Sequence, residues 1–133
     1  MKRLGQSGFA TLEVILMVTV IGILAAIAVP RFEDIVAKAN TARIQSDLTT
    51  IDTAIALYEM NETGTPSKVS DLKDYLTDAD QIAPPTAGKC YIGSATAESI
   101  PTGGYTIEKI GGSSRAVLGT GNTAGKFYYK PTT

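Results

Sequence analysis

Between Phe9 and Val29 the chain carries one charge, Glu13, and otherwise reads as an apolar run, with VILMVTVIGILAAIAV from Val14 to Val29. With Phe9 to Leu12 added, the stretch approaches the roughly 20 residues that cross a bilayer as a helix. It is apolar on every side, unlike a surface helix, and the rest of the chain is too small to bury it. Pro30 follows; it cannot donate a backbone hydrogen bond, which predicts a kink or loosening there. Beyond it the pattern stays helical but becomes one-sided. Phe32, Ile35, Val36 and Ala39 share a side, and Ile44, Leu48, Ile51, Ile55 and Tyr58 continue at steps of four and three. Lys38, Arg43, Asp47, Asp52, Glu59 and Glu62 are assigned to the opposite face, with Asp34 and Lys38 as an i,i+4 pair. The stripe covers about two heptads, short of a coiled coil, so the chain's own strands are its expected cover. Gly64 and Pro66 close the helix. From Phe9 to Glu62 it would be roughly 80 Å long at 1.5 Å per residue.

The second half changes period. SKVSDLKDYL predicts a short helix with Val69, Leu72 and Leu76 inward and Ser67 or Ser70 as its cap. Pro84 and Pro85 break the chain. Strands are then predicted at Lys89–Ile92, Tyr105–Ile110, Ala116–Leu118 and Phe127–Lys130, with GGSSR and GTGNTAG as turns. Sequential strands with short links favour an antiparallel meander. The fold class is α+β: a long N-terminal helix packed on a small antiparallel sheet.

Composition narrows the chemistry. A chain of 133 residues holds one modest domain, and a net charge of −1 without a basic stripe gives no reason to expect a nucleic-acid partner. Histidine is absent, Cys90 is the single cysteine, and no phosphate loop or metal cluster stands in the sequence. We therefore expect no enzyme, no cofactor and no metal. Calcium takes six to eight oxygen ligands, usually with carboxylates, and nothing after Glu108 is acidic. Asp78 and Asp80 are better read as helix-capping or solvated acids. Cys90 forms no intramolecular disulfide and reads as a buried thiol.

Glu13 is the residue this picture does not absorb. A charged group inside a membrane helix costs roughly 2.5–3.5 kcal/mol on insertion scales and usually has a partner. No basic side chain stands at helical spacing from it. Its partner is expected from another molecule or from a new chain end. A plain anchor and a secretory signal cut after Ala28, within Ala26-Ile27-Ala28, remain open beside that reading. Lys2 and Arg3 precede the run, whereas Arg31 and Lys38 after it are offset by Glu33 and Asp34, so the N-terminus is expected on the cytoplasmic side.

Gly8-Phe9-Ala10-Thr11-Leu12-Glu13, the apolar run and Pro30 together resemble the processing and assembly segment of the type IV pilin superfamily. That superfamily includes type IV pilins, type II secretion pseudopilins and competence pseudopilins. The resemblance is most specific over residues 8 to 32. Family members often read Gly-Phe-Thr-Leu-(Ile/Val)-Glu; here the hydroxyl is shifted by one place while the glycine, phenylalanine and glutamate keep their spacing. The resemblance implies cleavage after Gly8 by a membrane aspartyl peptidase and N-methylation of Phe9. It implies a leader over 1–8, a membrane and assembly half-helix over 9–30, an amphipathic half over 31–64 and a globular part over 65–133. Glu13 becomes the fifth mature residue, which in the family meets the N-terminal amine of a neighbouring subunit, and Pro30 matches a proline of the family's helix. The implied partners are copies of the chain in a filament, the peptidase and methylase, an assembly machine driven by a cytoplasmic ATPase, and lipid before assembly. The implied location is a single pass through the cytoplasmic membrane, N-terminus inside, and then a periplasmic or extracellular filament. The C-terminal disulfide of many type IV pilins is ruled out by the lone Cys90, and the calcium loop of the major secretion pseudopilins lacks its acids. The rival readings are a soluble domain cut after Ala28 and a monomeric membrane-anchored module.

Overall fold

The computed structural model describes residues 4–132. Lys2 and Arg3 lie outside the described residues. A single helix, α1, runs Leu4–Asn61 over 58 residues. The chain divides into two compact units, one ending at Ile35 and one beginning at Val36.

Among the described residues the first unit is helix alone. It starts ahead of Phe9 and includes Gly5 and Gly8. Once a helix is nucleated, each further residue adds a hydrogen bond. Two glycines at about 1 kcal/mol each do not stop the apolar run from extending backwards. The helix also continues across Pro30, whose missing N–H leaves the Ala26 carbonyl without its i+4 donor.

The second unit is built on the remainder of α1. Ile44, Leu48, Ile51 and Ile55 are fully or almost fully buried and meet Leu72, Cys90, Leu118 and Phe127 in one core. The predicted stripe therefore holds from Ile44 to Tyr58, which is half-buried. Its upstream part does not hold. Phe32, Ile35 and Ala39 are exposed, and the buried line instead continues through Thr41 and Ala37.

The predicted single meander is two separate two-stranded antiparallel sheets. Strands β1 (Lys89–Cys90) and β2 (Glu98–Ser99) form one, and β3 (Tyr105–Ile110) and β4 (Ser113–Leu118) form the other. Ile110 faces Ser113 across Gly111 and Gly112, both at positive φ, so the hairpin is a two-residue turn and β4 begins earlier than GGSSR suggests. Phe127–Lys130 is not a strand. A 3₁₀ turn, Ala124–Lys126, delivers Phe127 into the core, and the segment keeps one isolated parallel bridge, Ser94 to Tyr129. Tyr128 and Tyr129 both stay exposed, so the alternation of a strand is missing.

The predicted helix over residues 67–76 is a 3₁₀ turn of four residues, Val69–Leu72, although Val69, Leu72 and Leu76 are buried as expected. Its cap is neither Ser67 nor Ser70. The Asp71 carboxylate reaches back to accept from the backbone N–H groups of Ser67 (3.0 Å) and Lys68 (2.9 Å) and from the Ser67 hydroxyl. The Lys68 and Ser67 N–H groups hold the Asp71 carboxyl below its ordinary range.

Polar side chains tie the helix to the later segments. Asn40 donates to the carbonyls of Ala87 (3.2 Å) and Lys89 (3.0 Å). The Thr41 hydroxyl accepts from the Tyr91 N–H at 2.8 Å. Asp47 accepts from the Tyr105 hydroxyl at 2.7 Å, and Asp52 accepts from the Ala116 N–H at 2.8 Å while meeting the Arg115 guanidinium at 3.1 Å. Asp47 and Asp52 are thus not on the opposite face. One residue turns a helix by about 100°, so Asp47 beside Leu48 and Asp52 beside Ile51 border the stripe and reach the strands. Gly88, at φ +92, permits the Asn40 contact, since a Cβ there would stand 2.8 Å from the Asn40 amide nitrogen.

Candidate assembly segment

The residues singled out in the sequence all lie on the first unit of α1. Every described residue from Gly5 to Glu33 is exposed. Thirteen large apolar side chains between Phe9 and Val29 are each more than half exposed, Phe9 the most at 75%. Burying a side chain of this size stabilises by about 1.5–3 kcal/mol, so covering this surface is worth on the order of 20 kcal/mol. Lipid or other helices satisfy that demand; water does not. The helix is long and apolar enough to cross a membrane, with a mean hydropathy of 2.7 in its most apolar window.

Its polar groups fit such surroundings with one exception. The Thr11 hydroxyl donates to the Ser7 carbonyl at 2.9 Å and the Thr19 hydroxyl to the Ile15 carbonyl at 2.7 Å, so both are satisfied within the helix. Glu13 has no such return. Leu16, Met17, Val20 and Ile21 flank it along a shallow apolar groove. Among the described residues no ion pair or side-chain hydrogen bond reaches its carboxylate. Phe9 and Glu13 stand four residues apart, one above the other on one face. At Gly8, apart from the helix's own backbone, no heavy atom lies within 4 Å of where a Cβ would stand. The structure thus brings Phe9 and Glu13 to one face and leaves Pro30, about 25 Å along the helix from Glu13 at 1.5 Å per residue, apart from them.

The sequence resembles several curated proteins. It is 41% identical over 56 residues to a type IV major alpha-pilin of Moraxella bovis, covering 41% of this chain and 35% of that one. It is 31% identical over 84 residues to the type II secretion system core protein G of Aeromonas hydrophila, covering 63% and 58%. It is 37% identical over 60 residues to the major component of a type IV narrow pilus of Thermus thermophilus, covering 45% and 52%. The chain is thus similar to type IV pilins and to a type II secretion core protein. The matched stretch spans between a third and three fifths of these pilins and of the secretion protein. No family profile and no solved structure matches the chain. The chain joins a long N-terminal helix to small antiparallel sheets, and the uncovered apolar segment lies at the helix's start.

Among the described residues no group of three or more potential metal ligands is assembled. Cys90 is fully buried, and burial, with the charge of Glu98 adding to it, pushes its thiol above the ordinary range. The residues that sequence reasoning missed are the four anchors Asn40, Thr41, Asp47 and Asp52.

Proposed function

We propose that this chain is a filament subunit, a pilin or pseudopilin, held in a membrane by the first part of α1 and then packed through that same surface against other copies. The observation that carries this reading is the sleeve of uncovered apolar side chains and, within it, a Glu13 that no ion pair or side-chain hydrogen bond reaches among the described residues. Lipid covers such a helix before assembly, and neighbouring helices cover it afterwards at little net cost, since side chain and acyl chain are equally apolar. Cleavage after Gly8 creates an amine at Phe9, which is then methylated. That amine meets Glu13 of an adjoining subunit, so the carboxylate is neutralised only in the correct register. In this scheme residues 1–8 are the leader, 9–30 the membrane and assembly half, 31–64 the amphipathic half and 65–133 the globular part. Pro30 marks the change between the two halves. The N-terminus faces the cytoplasm, the second unit lies outside, and the partners are a peptidase and methylase and a membrane assembly machine.

The test is the intact mass and N-terminal peptide of the protein taken from its native membrane. A chain that begins at methylated Phe9 is the expected result. A chain beginning at Val29 overturns the proposal, because the assembly helix would be gone. An intact Met1 overturns the processing.

A further inference from the structure

The chain has three asparagines, and they are in unlike situations. Asn40 is committed to two carbonyls, Ala87 and Lys89, and Asn122 is half-buried. Asn61 is exposed, and it alone heads an Asn-x-Ser/Thr sequence, Asn61-Glu62-Thr63. That triplet is the acceptor pattern for N-linked glycans. It lies where the structure can give it up. α1 ends at Asn61, and its last helical bond runs from the Glu62 N–H to the Tyr58 carbonyl at 2.8 Å. Glu62, Thr63 and Gly64 form a bend in which Gly64 is at positive φ. From Glu59 to Thr65 every residue is exposed, Met60 by 80%. The side chain of Asn61 is hydrogen-bonded to the hydroxyl of the half-exposed Tyr75. A last turn with so little burial frays readily, so the segment can be drawn out as an extended loop while the core from Tyr58 inward stays folded.

We infer that Asn61 is a glycan attachment site, with Asn61-Glu62-Thr63 as the acceptor segment. The donor class is a sugar chain carried on a membrane lipid diphosphate. The Asn61 Nδ2 attacks the anomeric carbon of the first sugar, forming the N–C bond. The bond from that carbon to the diphosphate oxygen breaks, and the electron pair leaves with the lipid diphosphate. The amide proton passes to a base of the transferase, and the Thr63 hydroxyl holds the acceptor in register by a hydrogen bond. The inference rests on the proposed orientation, which puts the second unit on the side of the membrane opposite the cytoplasm. The alternative role for Asn61, a plain helix-terminating residue, predicts no added mass.

The experiment is a tryptic digest of the protein from its own organism. Cleavage after Arg43 and Lys68 releases Ile44–Lys68, which contains Asn61 and no other Asn-x-Ser/Thr triplet. The expected result is this peptide with added sugar mass on Asn61. The mass is lost completely in Asn61→Gln and Thr63→Ala and is kept in Thr63→Ser. An unmodified wild-type peptide overturns the inference, and so does a sugar that survives Asn61→Gln, which would sit on a hydroxyl instead. The same digest reports the N-terminus. A chain that starts at Phe9 without the sugar defeats the glycan site alone, whereas a chain that starts at Met1 defeats the processing on its own account.

Discussion

Asp52 holds two groups at once, the Ala116 N–H and the Arg115 guanidinium. Asp52→Ala leaves a buried strand N–H without an acceptor, an outcome that costs about 1–3 kcal/mol. Arg115→Ala removes only a partner whose side chain is 47% exposed and is expected to cost under about 1 kcal/mol. Denaturant unfolding of the detergent-solubilised protein compares the two; equal losses would show that the ion pair, not the backbone acceptor, matters. Tyr105 makes a second prediction. Burial, then the hydrogen bond to Asp47 and its charge, holds the phenol well above the ordinary tyrosine range. A raised folded value means that the native state keeps a proton the unfolded state gives up. The contribution is therefore complete below about pH 10, the unfolded value, and is lost as pH rises beyond it. In an alkaline absorbance titration one tyrosine should ionise only with unfolding, and Tyr105→Phe should remove that late step. These anchors were not legible in the sequence. Asp47 and Asp52 read as solvated acids because nothing local says which strand will lie beside them. The available signal was their place one residue from Leu48 and Ile51, with uncharged Thr49, Thr50 and Thr53 taking the outward positions.

At the scale of elements, α1 carries unequal obligations along its length. Leu48 is fully buried, and Leu48→Ala should cost about 2–5 kcal/mol in the same unfolding measurement. Phe32 is 68% exposed, and Phe32→Ala should stay within about 0.5 kcal/mol. A large effect at Phe32 would mean that the helix stripe extends further upstream than the burial shows. The stripe from Ile44 to Tyr58 was readable because four-and-three spacing is a long signal. β3 was readable because it runs six residues between turns. β1 and β2 have two residues each, too few to display a period, and their pairing depends on Asn40 and Gly88 bringing the chain against the helix. The tail Phe127–Lys130 misled for a related reason: one aromatic fills the core while its two neighbours remain outside.

At the scale of the whole molecule, the two units answer to different surroundings. The second unit has its own core, closed by its contacts with itself. The first has no cover of its own. Glu13→Gln keeps the shape of the side chain and removes its charge. Under the proposed function it should leave membrane insertion and the unfolding of the second unit unchanged while reducing filament yield severely, as read by shearing and sedimentation of filaments. Normal filaments from Glu13→Gln would remove the proposed pairing with a neighbour's amine. The apolar sleeve and its one acid were fully legible from sequence, because hydropathy over some twenty residues depends on no distant contact.

The four anchors also set how the second unit answers to force. Asn40, Thr41, Asp47 and Asp52 are spread over twelve residue steps of α1, about 18 Å at 1.5 Å per residue, and they grip four places: the Ala87–Lys89 stretch, Tyr91, Tyr105 and Ala116. A pull along the helix axis loads these bonds side by side, as rivets in a lap joint are loaded. A pull away from the axis at one end peels them in turn. The same small set of bonds therefore resists axial tension well and lateral peeling poorly, a mechanical grain set along the helix.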